Sequence, residues 1–238
     1  MRRPARNGLK VVAPRIGSFS GFKRRLVSAC AKTTEFKGLE PVLGDGPCPC
    51  DVMIIGEAPG REETKVKKPF VGRAGRFFTA VLEDTLRRKR EDIYITNAVK
   101  IWPRIETKRG KTRPPTRAEE EFFLPYLYEE VSAVNPLVIV AVGKTALRAV
   151  MPRGRFIPGE WIPAGPAGWP SRTAGWDEGR RGRLSGRFSV MPVYHPAYIL
   201  RRQKDMKAMT GGLKKALRKV KRRLGSFQPA VLDGPKAF

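Results

Sequence analysis

The sequence predicts an α/β protein: a single three-layer domain whose central, mostly parallel four-stranded sheet carries helices on both faces. Three observations lead there. Four short apolar runs rich in β-branched residues end at Gly56, Asn97, Gly143 and His195, as buried strands do. Helical patterns lie between them, and such crossovers join parallel strands. The chain has 238 residues, 41% of them hydrophobic, enough for one sizeable core.

In chain order, residues 1–28 read as a basic N-terminal arm. No acid precedes Glu35, and Arg, Lys, Gly and Pro crowd the first 14 positions, a composition that stays flexible and suits a phosphate backbone. An organelle transit peptide fits less well, since few hydroxyl residues precede Ser18. The domain is placed at 29–224. Its first strand is Val52-Met53-Ile54-Ile55. Over 73–89, Ala74, Phe77, Phe78, Val81, Leu82 and Leu86 fall on one helical face. Ile93-Tyr94-Ile95-Thr96 is the second strand, and 102–115 a basic loop. Thr116 and Glu119 form a capping box opening a helix to about 134, which Pro125 is expected to kink or divide. Residues 137–142 are the third strand, leading through Gly143 into a helix over 144–151. Residues 152–187, rich in Gly, Pro and Arg and holding Trp161, Trp169 and Trp176, read as a long loop or insert. After a fourth strand at 188–194, residues 201–224 form a basic helix with Met209, Leu213, Leu217, Val220 and Leu224 as its buried stripe; 225–238 is a tail.

Charge narrows the partners. Lys and Arg number 48 against 22 Asp and Glu, a net +26. A surplus that size repels itself, so a polyanion is the natural reason to keep it, DNA before an anionic membrane surface. A merely basic solvated surface is the plain alternative. No apolar run approaches the ~18 residues of a membrane span, and no signal-peptide pattern opens the chain. A cytoplasmic monomer without membrane association is expected. Cys30, Cys48 and Cys50 are too few and too unevenly spaced for a disulfide framework, which suits a reducing compartment.

In parallel sheets ligands bind beyond the carboxyl ends of strands, which directs attention to Gly56-Glu57, Asn97, Gly143 and His195. The strongest signal is Gly56-Glu57-Ala58-Pro59-Gly60 after a strand, followed by Glu62-Glu63 and Pro69-Phe70-Val71-Gly72-Arg73-Ala74-Gly75. It is no dinucleotide fingerprint, because no G-x-G-x-x-G opens a helix. Nor is Gly143-Lys144-Thr145 a P-loop, since Val138 stands where the leading glycine belongs.

With Ile95-Thr96-Asn97-Ala98-Val99-Lys100 and Val193-Tyr194-His195-Pro196-Ala197, the set resembles the uracil-DNA glycosylase superfamily, closest to the bacterial and archaeal family four branch. The resemblance covers residues 30–201. It implies a DNA glycosylase that hydrolyses the N-glycosidic bond of uracil, or a related pyrimidine, flipped out of single- or double-stranded DNA. Phe70 then stacks on the base, Asn97 reads its edge, and Ala58 and Gly60 line the base site. His195 hydrogen-bonds the departing base, while Glu57 and Glu63 favour the cationic sugar and help place water. Ala58 stands where other branches carry a water-activating Asp, so the water-activating group stays open. Tyr198, Ile199 or Leu200 would supply a wedge, and Lys108, Arg109, Lys111, Arg113 and Arg201 would contact DNA. Each residue has a packing alternative: His195 a packed histidine, Asn97 a strand-end cap, Phe70 a core aromatic, Glu63 a solvated loop charge.

Two departures follow. Family four members usually hold an iron–sulfur cluster on four cysteines. Here Cys30 matches one, but Thr33, Ile101 and Phe122 or Phe123 stand near the other places. Thiolates are required, so no cluster, other metal or cofactor is expected; a different metal site on Cys30, Cys48 and Cys50 is the weaker alternative. A related branch traps its product through a histidine in the basic loop, and residues 108–113 contain none. A glycosylase for a hypermodified pyrimidine and a catalytically inactive DNA-binding relative are the other functional readings. Joint retention of Phe70, Asn97 and His195 argues against inactivity.

Overall fold

A computed structural model of the protein describes residues 19–105, 111–163 and 188–226. Residues 1–18 of the expected arm, Lys108, Arg109, Trp169, Trp176, most of the 152–187 segment and nearly all of the tail lie outside the described residues.

The packed chain begins with α1 (Phe19–Lys32). Phe22, Leu26 and Cys30 recur every fourth residue and are buried. Folding therefore starts ahead of the expected boundary at 29, because two apolar residues of the expected basic arm belong to the core. Then come β1 (Val52–Gly56), α2 (Arg61–Val66), α3 (Arg73–Leu86) and β2 (Tyr94–Asn97). A small hairpin, β3 (Arg104–Ile105) with β4 (Lys111–Thr112), precedes α4 (Arg117–Val134). The second half is β5 (Val138–Val142), α5 (Lys144–Val150), β6 (Ile162–Pro163), β7 (Ser189–Val193), α6 (Pro196–Arg201) and α7 (Met206–Gly225).

The main sheet runs β2-β1-β5-β7-β6. Its first four members are parallel, as expected, and β6 adds a two-residue antiparallel edge. Alternate strand residues face opposite sides. Val52, Ile54, Val138, Val140 and Val142 pack with the residues of α3, α6 and α7; Met53, Ile55, Ile139 and Ala141 pack with those of α4 and α5. The expected stripe of α7 is realised: Leu213, Leu217 and Val220 are buried, and Met209 and Leu224 pack at its ends.

The capping box of α4 is present, with the Thr116 hydroxyl accepting from the Glu119 amide and the Glu119 carboxylate from the Thr116 amide. Pro125 does not divide the helix. Leu127 and Val131 pack toward the sheet while Phe123 packs with α1, and this two-sided burial holds the helix together through the proline.

From β1 the chain passes through α3 to β2 on one side, then returns through α4 to β5 on the other. The carboxyl ends of β1 and β5 thus flank a topological switch point, where an open α/β sheet leaves a crevice. No described helix is long and apolar enough to cross a membrane.

Candidate active site

Gly56 and Asn97 sit opposite one another at the ends of β1 and β2. The pairing continues beyond the strands, with the Ala98 amide donating to Gly56 O at 2.8 Å and the Val99 amide to Glu57 O at 3.0 Å. A Cβ on Gly56 would strike the Asn97 side-chain oxygen and come within 2.7 Å of the Phe70 ring. Glycine there lets the Asn97 amide and the Phe70 ring share one small space. Phe70 has φ 59°, a left-handed conformation that aromatic residues rarely adopt. The residue is 8% exposed, and its ring packs on Phe78 at 5.6 Å between centroids.

Beneath Asn97 lies a polar network that periodicity does not reveal. Lys100 and Glu130 are both fully buried and form an ion pair. The Lys100 Nζ also donates to Thr96 Oγ1 at 2.6 Å and to the Asn97 carbonyl at 2.7 Å. Glu130 accepts in addition from the Tyr94 hydroxyl at 2.8 Å and the Thr96 hydroxyl at 3.1 Å. Burial pulls the Lys100 ammonium below its ordinary value, and Glu130 opposes that shift. The network ties the backbone of Asn97 to α4. Only the Thr96-Asn97-Ala98-Val99-Lys100 run hinted at it, since Glu130 is 30 residues away.

Three acid–base groups border the same space. Both oxygens of Glu63 accept backbone amides, Gly60 at 3.1 Å and Gly72 at 2.7 Å. That carboxylate closes the two glycine turns on each other. Glu57 accepts from the Thr145 hydroxyl at 2.7 Å. His195 caps α6, its Nδ1 accepting the Ala197 amide at 3.2 Å. An accepting Nδ1 carries no proton, so the neutral ring holds its proton on Nε2. Burial lowers the His195 pKa below its ordinary value; Glu57 works against that shift, Arg201 adds to it, and Glu63 again opposes it.

These side chains line one cavity of about 240 Å³ at the switch point. Glu57, Ala58, Gly60, Glu63, Phe70, Asn97, Arg113 and His195, all expected at the site, meet there. Thr112 closes the side toward the hairpin, where its hydroxyl accepts from Trp102 Nε1 at 2.9 Å. Arg113 is held in a two-pronged pair with Glu119 at 2.7 and 2.8 Å. Lys111 and Arg201 are exposed. Of the wedge candidates, Tyr198 is 37% exposed, stacked on Tyr194 at 5.6 Å with the Arg202 guanidinium over its ring. Ile199 is not available as a wedge or DNA contact. It is fully buried in the core shared with α3 and α7, because α6 turns that residue inward.

The cysteines do not fit an iron–sulfur cluster. Cys30 lies in an apolar cluster with Phe36, Val99, Ile101 and Phe123, with no second cysteine in that cluster to share a metal, whereas an iron–sulfur cluster needs several thiolates. The space beside it is packed with rings: Phe36 lies 4.7 Å from Phe122 and 5.4 Å from Phe123. Cys48 and Cys50 belong to a different cluster, on the sheet side of α4. Among the described residues no group of three or more His, Cys, Asp or Glu is arranged to hold a metal.

The sequence pattern of the uracil DNA glycosylase superfamily matches residues 43–221, which takes in every strand and the whole cavity. The chain is similar to the type-4 uracil-DNA glycosylase of Thermotoga maritima, 34% identical over 164 residues that make up 69% of this chain and 73% of that protein. It is 34% identical to the type-4 enzyme of Pyrobaculum aerophilum over 181 residues, covering 72% and 82%. Against that of Archaeoglobus fulgidus it is 31% identical over 194 residues, covering 81% and 86%. A parallel sheet, a cavity at its switch point and a matched pattern spanning both have one reading: the chain belongs to the uracil DNA glycosylase superfamily.

Proposed function

We propose that the protein is a uracil-DNA glycosylase that accepts a flipped-out base in the cavity between β1 and β5. The observation that carries this reading is the convergence of Phe70, Asn97 and His195 on one cavity, with the imidazole proton on Nε2. A uracil extruded from DNA lies against Phe70. The Asn97 carboxamide donates to its O4 and accepts from its N3–H, a pairing that only a group able to do both can make. As the C1′–N1 bond breaks, its electron pair passes to the base, and the Nε2–H of His195 stabilises the charge that develops there. Water adds its oxygen to C1′ and releases a proton, leaving an abasic site and free uracil.

Glu57 is the carboxylate that offsets positive charge on the sugar and orients the water. Glu63 spends both oxygens on Gly60 and Gly72, so its part is to hold the cavity wall rather than to meet the sugar. Lys111, Arg113 and Arg201 contact DNA phosphates around the mouth, and the net +26 draws DNA to the protein. Tyr198, exposed beside His195, fills the gap left by the flipped base.

Incubation with single- and double-stranded oligonucleotides containing one uracil, followed by alkali, tests the proposal. Strand scission at the uracil is expected. Scission no greater than in a control without protein would reject it.

A further inference from the structure

Gly143-Lys144-Thr145 has the look of a phosphate-binding turn without its leading glycine, and the reaction described above leaves it unused. Its surroundings give it another purpose. The Thr145 side chain lies in the first turn of α5 and is 8% exposed. Its hydroxyl crosses from the end of β5 to the end of β1 and donates to Glu57 Oε2 at 2.7 Å. An acid therefore occupies the side of this turn that a phosphate would need. The preceding residue approaches the other reacting group. Gly143 has φ 94°, its amide donates to Val193 O at 2.9 Å, and a Cβ built on it would lie 3.4 Å from the His195 Cβ. One turn thus touches both Glu57 and His195, which reach the cavity from different strands.

We propose that Thr145 is a positioning residue, whose hydroxyl fixes the Glu57 carboxylate in the orientation used during bond cleavage. A carboxylate at the end of two methylene groups otherwise samples several rotamers. One strong donor on one oxygen removes that freedom before DNA arrives, which is the kind of preorganisation that speeds the chemical step without changing affinity. The inference rests on the role given to Glu57 under the proposed function, so both are tested together.

Single-turnover excision and DNA binding are measured for Thr145→Val, Thr145→Ser, Glu57→Gln and Thr145→Val/Glu57→Gln. Val keeps the shape and volume of Thr and removes only the donor. If Thr145→Val fails to fold, Thr145→Ala replaces it in the same comparison. The expected result is an excision rate about 10-fold lower for Thr145→Val with DNA affinity within about twofold of wild type. Ser should restore the rate, and adding Thr145→Val to Glu57→Gln should cost nothing further. A slow Glu57→Gln beside a Thr145→Val as fast as wild type overturns the inference and leaves the role of Glu57 standing. So does a Thr145→Val loss that persists in full in the Glu57→Gln background, which would mark a purely structural role. A Glu57→Gln as fast as wild type removes Glu57 from the reaction and the inference with it.

Discussion

The ring of His195 accepts the Ala197 amide on Nδ1 at 3.2 Å, so one bond both caps α6 and sets which ring nitrogen points a proton away from the helix. Protonation of Nδ1 would put two donors face to face. Burial already lowers the pKa from 6.5, with Glu57 opposing, and the geometry agrees with that direction. The acid limb of kcat/KM is therefore expected below pH 6.5, and a pH–rate profile checks it. Between the lowered folded value and 6.5 the unfolded chain binds the extra proton, so stability falls as pH drops through that window. A limb above 6.5 would mean that another group controls the rate.

The Lys100–Glu130 pair supports Asn97 from below, and its loss should be felt as instability. Lys100→Met leaves a buried carboxylate without its cation and is expected to cost about 3–5 kcal/mol, read from denaturant midpoints. Replacing both partners, as Lys100→Met/Glu130→Leu, should recover part of that cost. If the single variant is as stable as wild type, the pair does not hold this part of the fold.

Gly56→Ala tests the shared space of Asn97 and Phe70. The added methyl meets the amide oxygen and the ring, and a displacement of about 1 Å at a reacting site costs about 10²-fold in rate. Excision should fall by that order, and overpacking this buried space should also cost about 1–3 kcal/mol of stability, read from denaturant midpoints. A variant with wild-type excision would separate Gly56 from the base site.

The aromatic packing beside Cys30 predicts stability that owes nothing to metal. Chelators should leave Tm unmoved, and anaerobically purified protein should show no visible iron–sulfur absorbance. Phe36→Ala, by contrast, should cost about 3–5 kcal/mol, because Phe36 is 4% exposed and packs edge-on against Phe122 and tilted against Phe123. A chelator-sensitive Tm would contradict this account.

Much of the fold was legible because it is written in local periodicity. The four parallel strands, the α7 stripe and the Thr116–Glu119 capping box depend on neighbours a few positions away. What escaped depends on distance or direction. Phe22 and Leu26 were hidden in a basic stretch, and only their cluster with Phe36, Val99, Ile101 and Phe123, distant in the chain, makes them core. Ile199 has the composition of a wedge, yet the turn after His195 points it inward. β6 is two residues at the margin of an aperiodic segment. The cavity-lining set followed from motif order, whereas the Glu130 and Thr145 partnerships join residues 30 and 88 positions apart. No pattern along the chain encodes those.

The most direct measurement is the single-turnover rate of uracil excision by the wild-type protein and by His195→Ala, with DNA binding measured alongside. The expected result is abasic product from the wild type and a loss of about 10²-fold or more in the variant at nearly unchanged affinity. No product from the wild type, or equal rates for the two, would contradict the account.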